Sequence, residues 1–339
     1  MKSSSKKVVG IQLPPSDSPG MVQNIVEMEN MGIPAVWCTS STGATQHGGL
    51  APFGDSLTVF SAAAAITKNI LLGSNITQTW TRNPCTVAQQ ARTISDLAPN
   101  RFRLGLGVSH QDAIETIYGA DFKFPLSHLR EYVTIVRQLL HEGEVDFKGT
   151  YYRSKATISK PSNVPVMISA LRPKAYQTGG ELSDGVLTFA TPLFYAVKNG
   201  LDNMKIGAKT ADREVPSLLF QTSIVINENM DEARQWIRTG LAHGFSQKHF
   251  YMKMYEEAGF DDISQEGWTD EMIDTMLLSG SENEVGDKLD KVFEKGIKEV
   301  IATFPDKLTN GVAGLPHLRK YFNADTTDRT LRFISEYCS

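Results

Sequence analysis

Three short segments concentrate residues that could do chemistry. They are Ser74-Asn75-Ile76-Thr77-Gln78-Thr79-Trp80-Thr81-Arg82-Asn83-Pro84, Gly105-Leu106-Gly107-Val108-Ser109-His110 and Ser169-Ala170-Leu171-Arg172-Pro173-Lys174. In the third, proline suits the first turn of a helix. Such a helix offers backbone N–H groups and a positive dipole end between Arg172 and Lys174, which favours an anion or phosphate. The same residues also fit an ordinary helix start with two solvated basic side chains. The second segment begins like a dinucleotide-binding fingerprint. It ends on His110 where that pattern requires glycine, and no acidic residue follows at the distance a ribose contact needs. It also lacks the closing glycine of a nucleophile elbow, which disfavours a serine hydrolase. His141-Glu142-Gly143-Glu144-Val145 has no second histidine to complete a zinc helix, and the 7 histidines show no ligand spacing. No GxxxxGK[ST] phosphate loop is present. Hydrolase, kinase and zinc-enzyme readings therefore lack a local motif, and no metal is expected.

The elements that must carry these segments alternate. Continuous apolar runs at Val8–Leu13, Ala35–Cys38, Ile70–Ile76, Phe102–Leu106, Val164–Ser169, Gly185–Phe189, Leu218–Ile226 and Glu299–Phe304 read as strands. Amphipathic stretches between them read as helices: Met21–Met31, Asp55–Thr67 with Asp55 as N-cap, Pro84–Leu97, Pro125–His141 closed by Gly143, a helix from Pro173, Pro192–Ile206, one from about Asn229, and a loop and helix over Gly280–Lys295. Strands covered on both faces are continuously apolar and run parallel through crossover helices. Eight such strands predict an α/β fold closed as a (β/α)8 TIM barrel, with insertions at the C-terminal face of the strands. The three segments above then follow the third, fourth and fifth strands, at the end where such barrels place their chemistry. Gly107–Phe124 and Gly244–Met276 read as insertions. The second, with His249, Phe250, Tyr251, Tyr255 and Trp268, is either a lid over the mouth or a surface excursion with its own small core.

Bulk properties suit this reading. The 339 residues exceed the roughly 250 that one such barrel needs and are expected to form a single domain over 1–339. With 41% hydrophobic and 21% charged residues the composition is that of a globular protein. A net charge of −4 without like-charge runs argues against nucleic-acid or anionic-membrane partners. Cys38, Cys85 and Cys338 are odd in number and far apart, so a reducing compartment is expected. The apolar Val8–Leu13 is too short for a signal segment, and no window reaches the length of a membrane span. The cytoplasm is the expected location, and a small molecule the expected partner.

Arg101-Phe102-Arg103-Leu104-Gly105-Leu106-Gly107-Val108-Ser109-His110, preceded by Ile94–Asn100, resembles the central motif of the luciferase-like monooxygenase superfamily. Leu72–Ile76 followed by Arg82-Asn83-Pro84 is similar to its third-strand motif, Ser169–Pro173 with Gly180–Gly185 to its fifth-strand motif, and Ser279-Gly280 before an acidic helix to its last helix. The resemblance runs from about Val8 to Phe304. Compact length and the Gly107-Val108-Ser109-His110 form favour the subgroup of oxidoreductases that use the deazaflavin coenzyme F420. Two alternatives stand beside it: an FMN-dependent monooxygenase using reduced flavin and oxygen, and a non-catalytic barrel that binds cofactor or ligand. The resemblance implies a ring over the strand ends, near Ser74, Asn75, Ile76, Gly107, Val108 and Ser109, with Cys38 facing it or serving as a core residue. It implies a non-proline cis peptide at Asn75-Ile76. It puts the cofactor phosphate near Ala170, Leu171 and Arg172, where Arg172 replaces the usual glycine and could pair with phosphate directly. Sugar-phosphate dehydrogenases of the family carry Asp-His where this chain has Ser40-Ser41, so that reaction is not expected. His110 stands where they carry a carboxylic acid, and either transfers a proton or only hydrogen-bonds. Trp80 either lines the ring or substrate pocket or is structural. A homodimer is expected.

Overall fold

The computed structural model describes residues 7–13, 16–40, 55–238, 248–260, 267–304 and 324–339. Ser41, and residues 244–247 and 261–266 of the expected second insertion, lie outside them. The strands are β1 (Val8–Gln12), β2 (Ala35–Cys38), β3 (Leu71–Ser74), β4 (Thr77–Gln78), β5 (Phe102–Gly107), β6 (Glu144–Lys148), β7 (Arg153–Thr157), β8 (Val166–Ser169), β9 (Gly185–Leu187), β10 (Ser217–Ile226), β11 (Leu277–Gly280) and β12 (Glu299–Thr303). All pairings in the main sheet are parallel. They run β12–β1–β2–β3–β5–β8–β9–β10, and β10 pairs again with β12 to close an eight-stranded ring. These are the eight strands that the apolar runs predict. β4 continues the course of β3 and pairs with β5, and β11 joins the far end of β10.

The helices start where side chains can cap them. Asp55 accepts from the Thr58 amide, Asn83 from the Cys85 amide ahead of Pro84, and Ser281 with Glu284 forms a capping box. The helix expected over Pro125–His141 is α-helical over Pro125–Arg137, then turns π-helical over Gln138–Glu142 before Gly143 stops it with a positive φ. The helix expected from Pro192 is interrupted likewise, by a π-helical Ala196–Leu201. The antiparallel hairpin β6–β7 was not expected. Its residues alternate and are mostly charged or exposed, so no apolar run marks it.

Two apolar clusters fill the barrel. The larger lies between strands and helices, while Trp37, Met167, Leu187, Leu219 and Ile301, with Ile76 against them, form the inner one. Glu299 and Arg103 sit at the starts of β12 and β5, and close the inner cluster toward the N-terminal ends of the strands. The Trp37 indole N–H donates to Glu299 Oε1 at 2.8 Å, the Arg103 guanidinium lies 4.2 Å from the indole centroid, and Arg103 pairs with Glu299. The indole needs space that only glycines leave. A Cβ on Gly73 would lie 2.4 Å from its ring, and one on Gly10 would lie 2.9 Å from its nitrogen. Removing one member of a buried ion pair strands the other, at about 3–5 kcal/mol. Glu299→Leu is therefore expected to lower stability by about that amount in urea unfolding. Arg103→Met added to it is expected to recover a large part, because no uncompensated charge then remains.

Candidate active site at the mouth of the barrel

The ladder between β3 and β5 breaks after Gly73, and everything at the mouth is arranged around the break. Leu72 and Gly73 pair with Phe102 and Arg103, and pairing resumes only at Thr77 with Leu106. Between them the Ser74 hydroxyl takes the place of a backbone partner. It donates to the Gly105 carbonyl and accepts from the Gly105 amide, both at 2.9 Å. The Asn75-Ile76 peptide is cis, as the resemblance implied. Asn75 N–H donates to the Cys38 carbonyl, and Ser40 N–H to the Ile76 carbonyl, so the detour is tied to β2 as well as to β5.

The detour aims two side chains inward. Ile76 packs on the inner cluster and close to Gly107, where a Cβ would lie 2.8 Å from its Cδ1 and 2.5 Å from Ser169 Oγ. Asn75 is buried and donates through Nδ2 to Gln12 Oε1 at 3.1 Å and Gln221 Oε1 at 3.0 Å. Sequence reading passed over Gln12 and Gln221. The signal was a glutamine inside an apolar strand run, since a buried amide needs partners. Three uncharged amides thus meet beyond the inner cluster, at the C-terminal side of β1, β3 and β10.

His110 follows on the next strand. Ser109 has a φ of +62°, and His110 is the N-cap residue of the helix Gln111–Tyr118, its own carbonyl accepting from the Ile114 amide. The half-buried imidazole is pushed below its ordinary value of 6.5, by burial first and then by Lys248, with Asp112 opposing. Its ring centroid lies 6.1 Å from that of Tyr251, which also packs edge-on to Phe189.

Across the mouth, Ala170 N–H donates to the Leu187 carbonyl, Leu171 packs on the larger core, and Arg172 is the N-cap residue of the helix Pro173–Leu182, without a side-chain cap bond. The Arg172 guanidinium is held by Glu257, through Nε at 2.9 Å and through a second, shorter bond. Val108 leans on the larger core. Cys38 is fully buried in that same core, whereas the preceding Trp37 points into the inner cluster; burial pushes the Cys38 thiol far above its ordinary range. Trp80 lies flat on His128, with centroids 3.6 Å apart, and against Phe122. His128 in turn meets the Tyr152 hydroxyl at 2.7 Å, and burial pushes its imidazole down to about 4. Ser40 Oγ meets Ser56 Oγ in a buried pair. Among the described residues no cluster of three or more potential metal ligands exists.

A closed eight-stranded parallel barrel, sealed at one end and bearing an amide bed, an imidazole and a guanidinium at the other, defines a barrel protein with its site at the strand C-terminal ends. The luciferase-like monooxygenase family model matches residues 10–299, and the chain belongs to that family. It is 28% identical over 264 residues to the 5,10-methylenetetrahydromethanopterin reductase of Archaeoglobus fulgidus, covering 70% of this chain and 78% of that protein. It is 32% identical over 228 residues to the F420-dependent glucose-6-phosphate dehydrogenase of Mycolicibacterium smegmatis, covering 62% and 65%. The structure of an F420-dependent secondary alcohol dehydrogenase in complex with an F420-acetone adduct superposes with a TM-score of 0.74 at 19% identity, over 94% of this chain and 99% of that one.

The electrostatics of His110 give a direct test. Its imidazole is expected to titrate below 6.5 by NMR, and Lys248→Gln to move it upward, since a repelling cation is removed while Asp112 stays. The sign for stability follows from the depressed value. The unfolded chain binds this proton more readily, so the contribution of His110 is complete above about 6.5 and is lost as pH falls toward the folded value.

Proposed function

We propose that the protein is a coenzyme F420-dependent oxidoreductase that moves a hydride between the deazaflavin and a small organic substrate. Family membership and the F420-dependent glucose-6-phosphate dehydrogenase relative support this reading. The observation that carries it is the composition of the mouth: a bed of uncharged amides, a neutral imidazole and a guanidinium on one rim. These residues fit a flat heterocycle edged with amide groups and carrying an anionic tail. Gln12, Asn75 and Gln221 can exchange hydrogen bonds with such an edge. Gly107, which has no room for a side chain, lets Ile76 and the β5 backbone form one close-packed wall. Ser74 holds that wall in place through Gly105. Arg172, with Ala170 and Leu171 before it, stands where a phosphate would be met by a two-pronged donor.

Bound F420 supplies a two-electron hydride at its ring. The proton that accompanies the hydride falls to the protein, and His110 is the group we assign to it. An imidazole kept neutral at pH 7 can accept a proton from a substrate hydroxyl, and its conjugate acid can return one in the opposite direction. Trp80, wedged between His128 and Phe122, forms a rigid part of the same rim. Ser40, hydrogen-bonded to Ser56, is no acid or base near neutral pH, which leaves His110 with the task.

We place the working unit as one barrel over 1–339, in the cytoplasm and as a homodimer. No helix among the described residues is long and apolar enough to cross a membrane. The experiment is to titrate the protein separately with F420 and with FMN, then to follow deazaflavin absorbance with a panel of alcohols, carbonyl compounds and activated alkenes. Tight F420 binding with turnover, and weak FMN binding, is the expected result; FMN preference with oxygen consumption would overturn it. Within that assay His110→Ala is expected to lower saturated turnover by about 10²–10⁴-fold while F420 affinity changes by less than about threefold. Lost affinity with normal saturated turnover would remove His110 from proton transfer.

A further inference from the structure

Gln12 and Gln221 rise from strands that are not neighbours, yet both turn into the lumen. Gln12 is in register with Trp37 and Gln221 with Ile301, and both partners belong to the inner cluster. Residues in register on paired strands share a face of the sheet. Asn75 reaches the two glutamines from the detour after β3. Its amino group gives one hydrogen to each glutamine carbonyl, at 3.1 Å and 3.0 Å. A carboxamide has two N–H donors and one carbonyl oxygen. These two bonds therefore use both donors of Asn75 and turn both glutamine carbonyls toward it. The groups left over are the amino groups of Gln12 and Gln221 and the carbonyl oxygen of Asn75. Among the described residues none of these three meets a hydrogen-bond partner. None is sealed off either, in contrast to the buried, unpartnered hydroxyls of Thr77 and Tyr132. Asn75 is 7% exposed and Gln221 4%, so a bond made to them forms with little water to screen it.

We propose that the Gln12–Asn75–Gln221 bed tunes the redox balance of the site: its surplus of donors holds the reduced form of a bound flavin or deazaflavin ring more tightly than the oxidised form. This rests on the redox-cofactor reading above and on no particular substrate. The bed offers a ligand two amino groups against one carbonyl oxygen. The carbonyl edge of such a ring is more negative in the reduced state than in the oxidised state. A hydrogen bond to an ionised acceptor is roughly twice as strong as one to a neutral acceptor. Donors without a competing protein acceptor therefore favour the electron-rich state. By linkage, a ring bound more tightly when reduced is easier to reduce in the protein than free in water. The reverse orientation, with Asn75 accepting from both glutamines, would leave two carbonyl oxygens and invert the preference. The sign of the effect thus reads the polarity of the bed.

Affinity for the two oxidation states reads the bed without turnover. The protein is titrated anaerobically with oxidised F420 and with borohydride-reduced F420, and the potential of the bound ring is measured by spectroelectrochemistry. Wild type is expected to bind the reduced form about tenfold more tightly, which raises the two-electron potential by about 30 mV. Gln221→Glu puts a carboxylate in place of a donor and is expected to abolish or invert that ratio. Gln12→Glu, at a half-buried position on another strand, is expected to do the same, so the test survives if one variant fails to fold. Gln12→Met keeps the length of the side chain without its donor and is expected to move the ratio toward one without inverting it. Equal affinities in wild type, tighter binding of the oxidised form, or a wild-type ratio in the folded glutamate variants would overturn the proposal. If FMN binds and F420 does not, the cofactor assignment falls on its own. The same pair of affinities measured with FMN then decides the bed, because the two rings share the carbonyl edge. If neither ring binds in either state, both readings fall.

Discussion

The Trp37 indole, clamped between the Arg103 guanidinium and the Glu299 carboxylate, gives the barrel its two unlike ends. A ring of eight parallel strands encloses a space that side chains must fill. Here one large aromatic group fills the floor, and Gly10 and Gly73 are the vacancies that admit it. The ion pair is buried, and a buried ion pair gains little over apolar packing. Its value lies in satisfying the indole N–H and in fixing the ring against one edge of the lumen. With the floor closed by charge and aromatic surface, Met167, Leu187, Leu219 and Ile301 pack above it, and the polar groups are left to the opposite mouth.

At that mouth a loss in the sheet becomes a gain for the site. Where β3 and β5 part, two buried backbone groups of Gly105 would lack partners, and each would carry a desolvation cost. One serine hydroxyl answers both, because a hydroxyl donates and accepts at once. The chain can then make its detour through Asn75 and Ile76 without leaving the sheet, since their backbone groups bond to Cys38 at the end of β2 and to Ser40 just after it. Asn75 turns its amide toward Gln12 and Gln221 from two other strands. The polar bed is thus assembled from residues 12, 75 and 221, which no local motif could join.

What was legible in the sequence follows the range of the forces involved. The eight strands were visible because each is a continuous apolar run, and the cap Asp55 and the helix start near Asn229 because capping is a local bond. The hairpin β6–β7 was not, because its strands alternate charged and small residues and gain their order from pairing with each other. Cys38 was ambiguous in sequence; the period of two, with Trp37 inward, turns it outward into the helix layer. Arg172 stands at the helix start that Pro173 marked, but its partner Glu257 lies 85 residues away. Pairings of that kind depend on the closed barrel and leave no trace in spacing.

The charges around the mouth show a common arrangement that bears on how any ligand enters. Arg82 pairs with Asp55, Lys248 with Asp112 and Arg172 with Glu257, each pair joining two different strand–helix junctions. The bed beneath them holds amides and no charge. These three cations are each balanced by a carboxylate, so the field the pairs cast inward is that of short dipoles, while Lys174 stands exposed beside Arg172. An anion that meets Arg172 competes with the Glu257 carboxylate on the edge that carboxylate holds, whereas a neutral ring gains affinity from the amide bed without displacing a charge. Such a mouth separates the two halves of an amphoteric ligand: the uncharged part is taken by shape and hydrogen bonds, and the anionic part by competition at one rim. His110, beside the Lys248 pair and half out of water, has its proton affinity set by the first kind of surroundings and by the nearest cation together. Movement of Lys248 would alter that affinity, so the helix His249–Ala258 that begins beside it is coupled to the group assigned to proton transfer.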